Sequence, residues 1–129
     1  MDYNMTIRLT APFAETAGRV RTALREEGFG VLTEIDVTAT LHDKLGEKME
    51  DFLILGACNP PLAHRALGVD RRIGLLLPCN VVVRADGDET VVEALDPQVM
   101  MTIAGAEELA PVADEATRRL RAALDALAA

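Results

Sequence analysis

Two cysteines could take part in more kinds of chemistry than any other residues of this sequence. Cys58 lies in "ACNPP" and Cys79 in "LPCNV", so each thiol stands close to a proline and an asparagine. Each also lies at one end of an apolar run that is typical of a β-strand. If the two strand ends meet, the thiols would form a dithiol or a two-thiolate site for a soft metal. Met100, Met101 or His64 would then complete the shell for Cu(I) or Zn(II).

The alternative for both cysteines is ordinary core packing. A free cysteine is among the most buried residue types and behaves as a small apolar side chain. The spacing of Cys58 and Cys79 is not that of a CxxC pair, and no second pair supplies four ligands. The residues alone therefore leave both interpretations open.

Cys58 could also act as a nucleophile. Asn59 is a good N-cap, and the N-terminus of a following helix would lower the pKa of a thiol beside it. However, Pro60 and Pro61 remove two of the backbone donors of that helix end, and His64 projects away from its first turn. A thiol-dependent enzyme, acting in acyl transfer or redox chemistry, thus stays an alternative.

Carboxylates form a second candidate group. Glu34 and Asp36 project to one face of a predicted strand, and Lys44 and Glu47 follow closely in the chain, so the four could form a polar site. Charged residues on an edge strand are also found simply solvated. No GxGxxG, Walker, HExxH or GxSxG sequence occurs, so nucleotide-binding, zincin and serine-hydrolase functions have no motif to support them.

Composition limits the partners. A chain of 129 residues is expected to form one domain, residues 1–129. Its formal charge of −8 argues against nucleic acid and against an anionic membrane surface, both of which need clustered Lys and Arg. The sequence shows no secretory signal pattern and no apolar run long enough for a membrane helix, so we expect a cytoplasmic protein with reduced thiols.

Hydrophobic periodicity predicts the elements that hold these groups. Strands are expected over residues 4–10, 29–37 and 52–58, and "CNVVVRADGDETVVEAL" reads as a β-hairpin. Helices are expected after Thr10 up to Gly28, over residues 60–67, and from about Glu107 to the end. The second strand is predicted to turn one set of side chains to one face: Phe29, Val31, Thr33, Ile35 and Val37. This order favours an α+β fold with an antiparallel sheet of about five strands, backed by an N-terminal and a long C-terminal helix.

Several motifs together resemble one family, the domain of unknown function 302 family, over nearly the whole chain. The matching residues are Asp36, Lys44-Leu45-Gly46, Ala57-Cys58-Asn59-Pro60, Leu77-Pro78-Cys79 and Asp96-Pro97. The resemblance implies a TATA-binding-protein-like unit, with a curved antiparallel sheet backed by helices, and a homodimer. It also places both cysteines in the family's most recognisable motifs, but it brings no activity, substrate or cofactor.

Three functions remain open on this basis. The first is a cytoplasmic homodimeric module that binds a small molecule or soft metal near Cys58, Asn59 and Cys79, with Asp36 and Lys44 as further candidate ligand-binding residues. The second is the enzyme that uses Cys58. The third is a protein-interaction module with purely structural cysteines, in which the last helix provides the contact surface.

Overall fold

Five strands form one antiparallel sheet. The structure is a computed structural model that describes residues 2–129. Its strands are β1 (Asn4–Leu9), β2 (Gly30–Asp36), β3 (Phe52–Cys58), β4 (Cys79–Asp86) and β5 (Glu89–Leu95). They lie in the order β1-β5-β4-β3-β2, and every neighbouring pair is antiparallel. The predicted α+β class, strand number and strand direction are therefore confirmed.

Helices lie between and after the strands. They are α1 (Phe13–Glu26), α2 (Val37–Leu45), α3 (Pro60–Val69), α4 (Gln98–Ala104) and α5 (Ala110–Ala128), with 3-10 turns at Arg71–Leu76 and Glu107–Leu109. The helix after β3 was predicted to end at Gly68, whereas it continues to Val69. None of the helices within residues 2–129 is long and apolar enough to cross a bilayer.

The main core lies between one face of the sheet and the pair α1 and α5. Alternation along the strands turns Leu55 and Ala57 of β3 to this face, where both are fully buried. The two helices bring apolar stripes onto it, including Val20 of α1 and Leu120 of α5. The apolar stripe of α5 is thus used inside the fold, so it does not provide the free contact surface considered for the last helix.

Strand β3 lies inside the sheet because neither of its faces is polar. It pairs with β2 on one side and with β4 on the other, as predicted for a strand without charged side chains. Gly56 lies in its middle on the face opposite the core. A Cβ there would lie 2.2 Å from Oγ1 of Thr33 and 2.9 Å from Cγ of Pro78. Only glycine therefore lets these two side chains cross the strand.

Strand β2 differs from the predicted alternation. A β-bulge between Val31 and Thr33 shifts the register of β2 against β3. These two residues are separated by one residue in β2, yet they pair with Ala57 and Gly56, which are adjacent in β3. Val31 consequently packs against the main core, while Thr33 crosses over Gly56 on the opposite face. The single-face prediction for β2 was wrong, and the strand itself ends at Asp36 rather than at residue 37.

A second apolar cluster covers the far end of β3. It joins α3, the two 3-10 turns, α4 and the first turns of α5, and its buried members are Leu62, Ala66, Ile73, Leu109, Val112 and Ala116. The candidate site lies where this cluster meets the main core.

Candidate functional site

Asn59 connects β3 to α3. It directly follows Cys58, and its Oδ1 accepts a hydrogen bond from the backbone N–H of Leu62 at 3.2 Å, which caps the helix as predicted. Pro60 occupies the first helical position, where a missing N–H costs nothing. Asn59 is 8% exposed, so the strand end, the cap and the helix start form one buried corner.

Cys79 begins the neighbouring strand β4. In the antiparallel ladder it lies opposite Ala57, so the side chains of Cys79 and Ala57 share one face of the sheet, whereas Cys58, the next residue of β3, alternates to the other face. Both cysteines are free thiols and partly buried. The structure thus brings together the two strand ends whose meeting the sequence left open.

A small cavity lies at this corner, with a volume of about 30 Å³. Its walls come from β3, α3, the start of β4, α4 and α5. Within residues 2–129, none of the side chains that line it is charged. The lining residues are Phe29, Ala57, Cys58, Asn59, Leu62, Ala63, Ala66, Leu77, Cys79, Pro97, Met100, Val112, Ala113 and Ala116. We call this space the thiol cavity.

The apolar walls change the acidity of Cys79. Burial raises its pKa from 9.0 to about 11, and the nearby Cys58 thiol adds to the rise because two thiolates would repel each other. Cys79 is therefore a neutral thiol at neutral pH. It is a poor nucleophile until a metal or a base removes its proton.

One methionine also lines the cavity. Met100 of α4 lines the thiol cavity, whereas Met101 and His64, the other two residues considered as completing ligands, do not. Met101 packs in the second apolar cluster, and His64 is exposed on α3. No group of three or more His, Cys, Asp or Glu in residues 2–129 is arranged to hold a metal ion.

The carboxylate candidates lie elsewhere. Asp36 lines an open cleft of about 400 Å³ at the other end of β3, together with Glu34, Asp51 and Arg21. Arg21 Nε donates to Glu34 Oε1 at 2.6 Å, and this bond lowers the pKa of the Glu34 carboxyl. We call this space the polar cleft.

Asp36, in the polar cleft, also caps a helix. Its Oδ1 accepts from the backbone N–H of Ala39 at 2.9 Å and caps α2. Lys44 is exposed near the end of α2 and lines neither the cleft nor the thiol cavity. Of the five candidate ligand-binding residues, Cys58, Asn59 and Cys79 therefore line the thiol cavity, whereas Asp36 and Lys44 do not.

Sequence reasoning missed the far wall of the thiol cavity. Ala113 and Ala116 of α5 and Phe29 before β2 line it, and their small or apolar side chains carried no chemical signal. The only available sign was that the stripe of the last helix begins with small residues, which leave room opposite a strand end. These small residues indicate a cavity only once the position of α5 relative to the strand ends is known.

The sheet, the helical layer and the corner at Cys58 and Cys79 define a small α+β protein with an apolar cavity beside its two cysteines. The family model described as domain of unknown function DUF302 matches residues 5–127. The chain belongs to this family.

A solved structure of the same family is closely similar. It is described as the crystal structure of an uncharacterized conserved protein DUF302 from Bacillus stearothermophilus, and it is 31% identical with a TM-score of 0.89. The match covers 95% of this chain and 96% of that chain. None of the curated proteins matches the sequence.

Proposed function

We propose that this protein is a binding module without a chemical step of its own, and that its ligand is held in the thiol cavity. One observation carries the proposal: Cys58, Asn59 and Cys79 line the same small apolar space. A volume of about 30 Å³ suits a single ion or a very small molecule. Sites for larger organic ligands measure roughly 300–1,000 Å³.

The enzymatic alternative has less support. A nucleophilic thiol needs a base within hydrogen-bond reach. Neither His42 nor His64 lines the thiol cavity, and the raised pKa keeps Cys79 protonated. The free thiols also suit the reducing cytoplasm, which we propose as the compartment.

The test uses two probes of different chemistry on ¹⁵N-labelled protein. Xenon is a neutral apolar atom, and Cu(I), supplied anaerobically, is a soft cation. We expect at least one probe to give saturable amide shifts confined to the cavity walls, with Ala57 and Ala63 among the responding residues.

Two variants of α5 serve as a matched pair. Ala116→Leu fills the cavity and should abolish the response, whereas Ala122→Leu, which lies outside the lining, should retain it. The proposal fails if neither probe shifts the wall resonances, or if a folded Ala116→Leu protein responds like the wild type.

We further propose that the module works as a homodimer, as the family resemblance implies. The supporting observation is apolar exposure beside the free edge of the sheet: Leu32, Ile35 and Leu45 are 68%, 49% and 67% exposed. Strand β2 is the outermost strand there, and α2 buries none of its residues.

Sedimentation equilibrium should give twice the chain mass, and Leu45→Lys should shift the protein towards monomer. A monomer at about 100 µM would contradict the dimer, since stable homodimers associate well below that concentration.

A further inference from the structure

One buried polar side chain has hydrogen-bonding capacity that the fold does not use. Asn59 is 8% exposed, and its primary amide offers an acceptor oxygen and two N–H donors. Its Oδ1 accepts from the backbone N–H of Leu62, and this bond fixes which way the amide is turned. Within residues 2–129, Nδ2 donates to no protein atom. Buried donors are almost always paired, so water or a ligand must accept from Nδ2.

A second donor lies close to Nδ2. A Cβ built on Gly28 would lie 3.0 Å from Asn59 Nδ2 and 3.3 Å from Arg119 Nη1. A hydrogen-bonded oxygen lies about 2.9 Å from its donor, so one oxygen beside Gly28 can accept from both nitrogens. We call Asn59 Nδ2 and Arg119 Nη1 the donor pair.

The backbone at Gly28 keeps the space beside the donor pair open. Gly28 has a φ of 85°, which glycine adopts without the strain that a side chain would bring. The residue is also exposed, so a ligand can reach this place from solvent. Any larger residue here would put its Cβ between the two donors.

The donor pair adjoins the thiol cavity. Asn59 lines the cavity, and so does Phe29, the residue that follows Gly28. Within residues 2–129, none of the lining side chains is charged. A ligand whose oxygen is held by the donor pair can therefore place a small apolar group in the cavity.

The charges around Arg119 favour a neutral ligand. Arg119 Nε donates to Glu115 Oε1 at 2.8 Å, and Nη1 donates to the backbone oxygen of Glu27 at 3.1 Å. Each Nη of a guanidinium carries two N–H groups, so Nη1 retains one for a ligand. The positive charge, however, is already paired with Glu115. A second carboxylate would be repelled by Glu115, whereas a carbonyl oxygen accepts without adding charge.

We propose that the ligand of the thiol cavity is a small neutral carbonyl compound. Its oxygen accepts from the donor pair beside Gly28, and its apolar end lies in the cavity. This inference rests on the proposed binding function and names the class of its ligand. Binding is non-covalent, and no proton or electron is transferred.

The experiment compares two probes of one shape on the ¹⁵N-labelled full chain. Acetone has a carbonyl oxygen, and isobutene has a CH₂ group in its place. At equal dissolved concentrations, both should shift the amides of the cavity walls, but only acetone should shift the side-chain N–H resonances of Asn59. Acetone should bind about fivefold more tightly, as expected for a net gain of one hydrogen bond. Acetate should bind more weakly than acetone, because its charge would lie near Glu115.

Two glycine variants form a matched pair. Gly28→Ala puts a methyl group beside the donor pair and should remove the preference for acetone over isobutene. Gly46 has a similar φ of 68°, but a Cβ there meets no atom within 4 Å, so Gly46→Ala should keep the preference. If Gly28→Ala fails to fold, Asn59→Asp replaces it. This variant retains a capping oxygen, loses both N–H donors and should also lose the preference.

Three results would overturn the inference. They are equal binding of acetone and isobutene, Asn59 side-chain resonances that acetone does not move, and tighter binding of acetate than of acetone. If isobutene or xenon still shifts the cavity walls in these cases, the binding module stands and only its ligand class is wrong. If none of the probes shifts the walls, both proposals fall.

Discussion

The two ends of strand β3 offer contrasting environments within about 20 Å of each other, the length of a seven-residue strand. At the Cys58 end, helices α3, α4 and α5 enclose an uncharged cavity of about 30 Å³. At the Phe52 end, the polar cleft measures about 400 Å³ and is lined by four charged side chains. A single strand thus connects a small, uncharged cavity to a larger cleft with charged walls.

The difference comes from what covers each end. Members of the second apolar cluster line the thiol cavity together with Asn59, and burial there raises the pKa of Cys79. At the other end, one side of α1 forms a wall of the polar cleft, and α2, beside the edge strand, buries none of its residues. Polar groups there face water, which weakens every interaction they make. The same residue types should therefore have larger effects at the Cys58 end.

The largest expected effect concerns the reactivity of Cys79. In the wild-type protein, a pKa raised from 9.0 to about 11 leaves about 100-fold less Cys79 thiolate at pH 8, and peptide mass spectrometry separates the modification of Cys79 from that of Cys58. Alkylation by iodoacetamide should be slower by that factor than in the same protein unfolded in urea. The rate should rise about tenfold per pH unit between pH 7 and 10, because the thiolate fraction grows with pH below the pKa. Equal rates in folded and unfolded protein would show that the corner is wet.

The second effect concerns the buried helix cap. Asn59→Ala should lower the free energy of unfolding by about 2 kcal/mol, because the N–H of Leu62 loses its acceptor in a buried place. Urea unfolding measures the loss. Asn59→Ser keeps a capping oxygen and should lose less than half as much. Equal losses in the two variants would assign the effect to packing and not to the cap.

The third effect is the matched change at the open end. Asp36 caps α2 through the N–H of Ala39, as Asn59 caps α3, but it is exposed. Asp36→Ala should lower the free energy of unfolding by about 0.5–1 kcal/mol, the range for exposed caps. Asp36→Asn retains the acceptor and should be nearly neutral. If Asp36→Ala costs as much as Asn59→Ala, the contrast between the two ends is wrong.

The smallest effect is expected at Lys44. Its side chain is exposed and lines neither the thiol cavity nor the polar cleft. Lys44→Ala should change the free energy of unfolding by less than about 0.5 kcal/mol, as is usual for surface positions. It should also leave the amide shifts that xenon or Cu(I) causes in the cavity walls unchanged. Loss of those shifts in a folded variant would return Lys44 to the site.

Local patterns predicted much of this fold, since each has a local physical cause. The hairpin of β4 and β5 follows from Gly87-Asp88, the two residues between the strands, where Gly87 takes a positive φ of 59°. The position of β3 inside the sheet, with a neighbour on each side, follows from its lack of a polar face. The bulge in β2 has no such cause, because it depends on how Thr33 meets Gly56 of the neighbouring strand. Neither the strand propensities of the residues nor the alternation of apolar and polar residues in the sequence indicates such a contact between two strands.

The candidate site was predictable only in part, for a similar reason. The strand ends placed Cys58 and Cys79 on a short list, but whether they meet depends on the β3–β4 register. Selecting Met100 over Met101 and His64 needs the position of α4 over the cavity. Grouping Asp36 and Lys44 with the thiols followed from closeness in the sequence and motif matching, and the length of β3 separates them.

The strand order also bears on how the sheet can form during synthesis. Strands β2, β3, β4 and β5 pair with their neighbours in the chain, so each can add to the growing sheet as it leaves the ribosome. Strand β1 is made first, yet its only partner in the sheet is β5, from Asn4 opposite Leu95 to Leu9 opposite Thr90. Closing that pair spans most of the chain, and such non-local contacts slow folding. Strand β1 must therefore remain unpaired in the sheet until β5 has been translated.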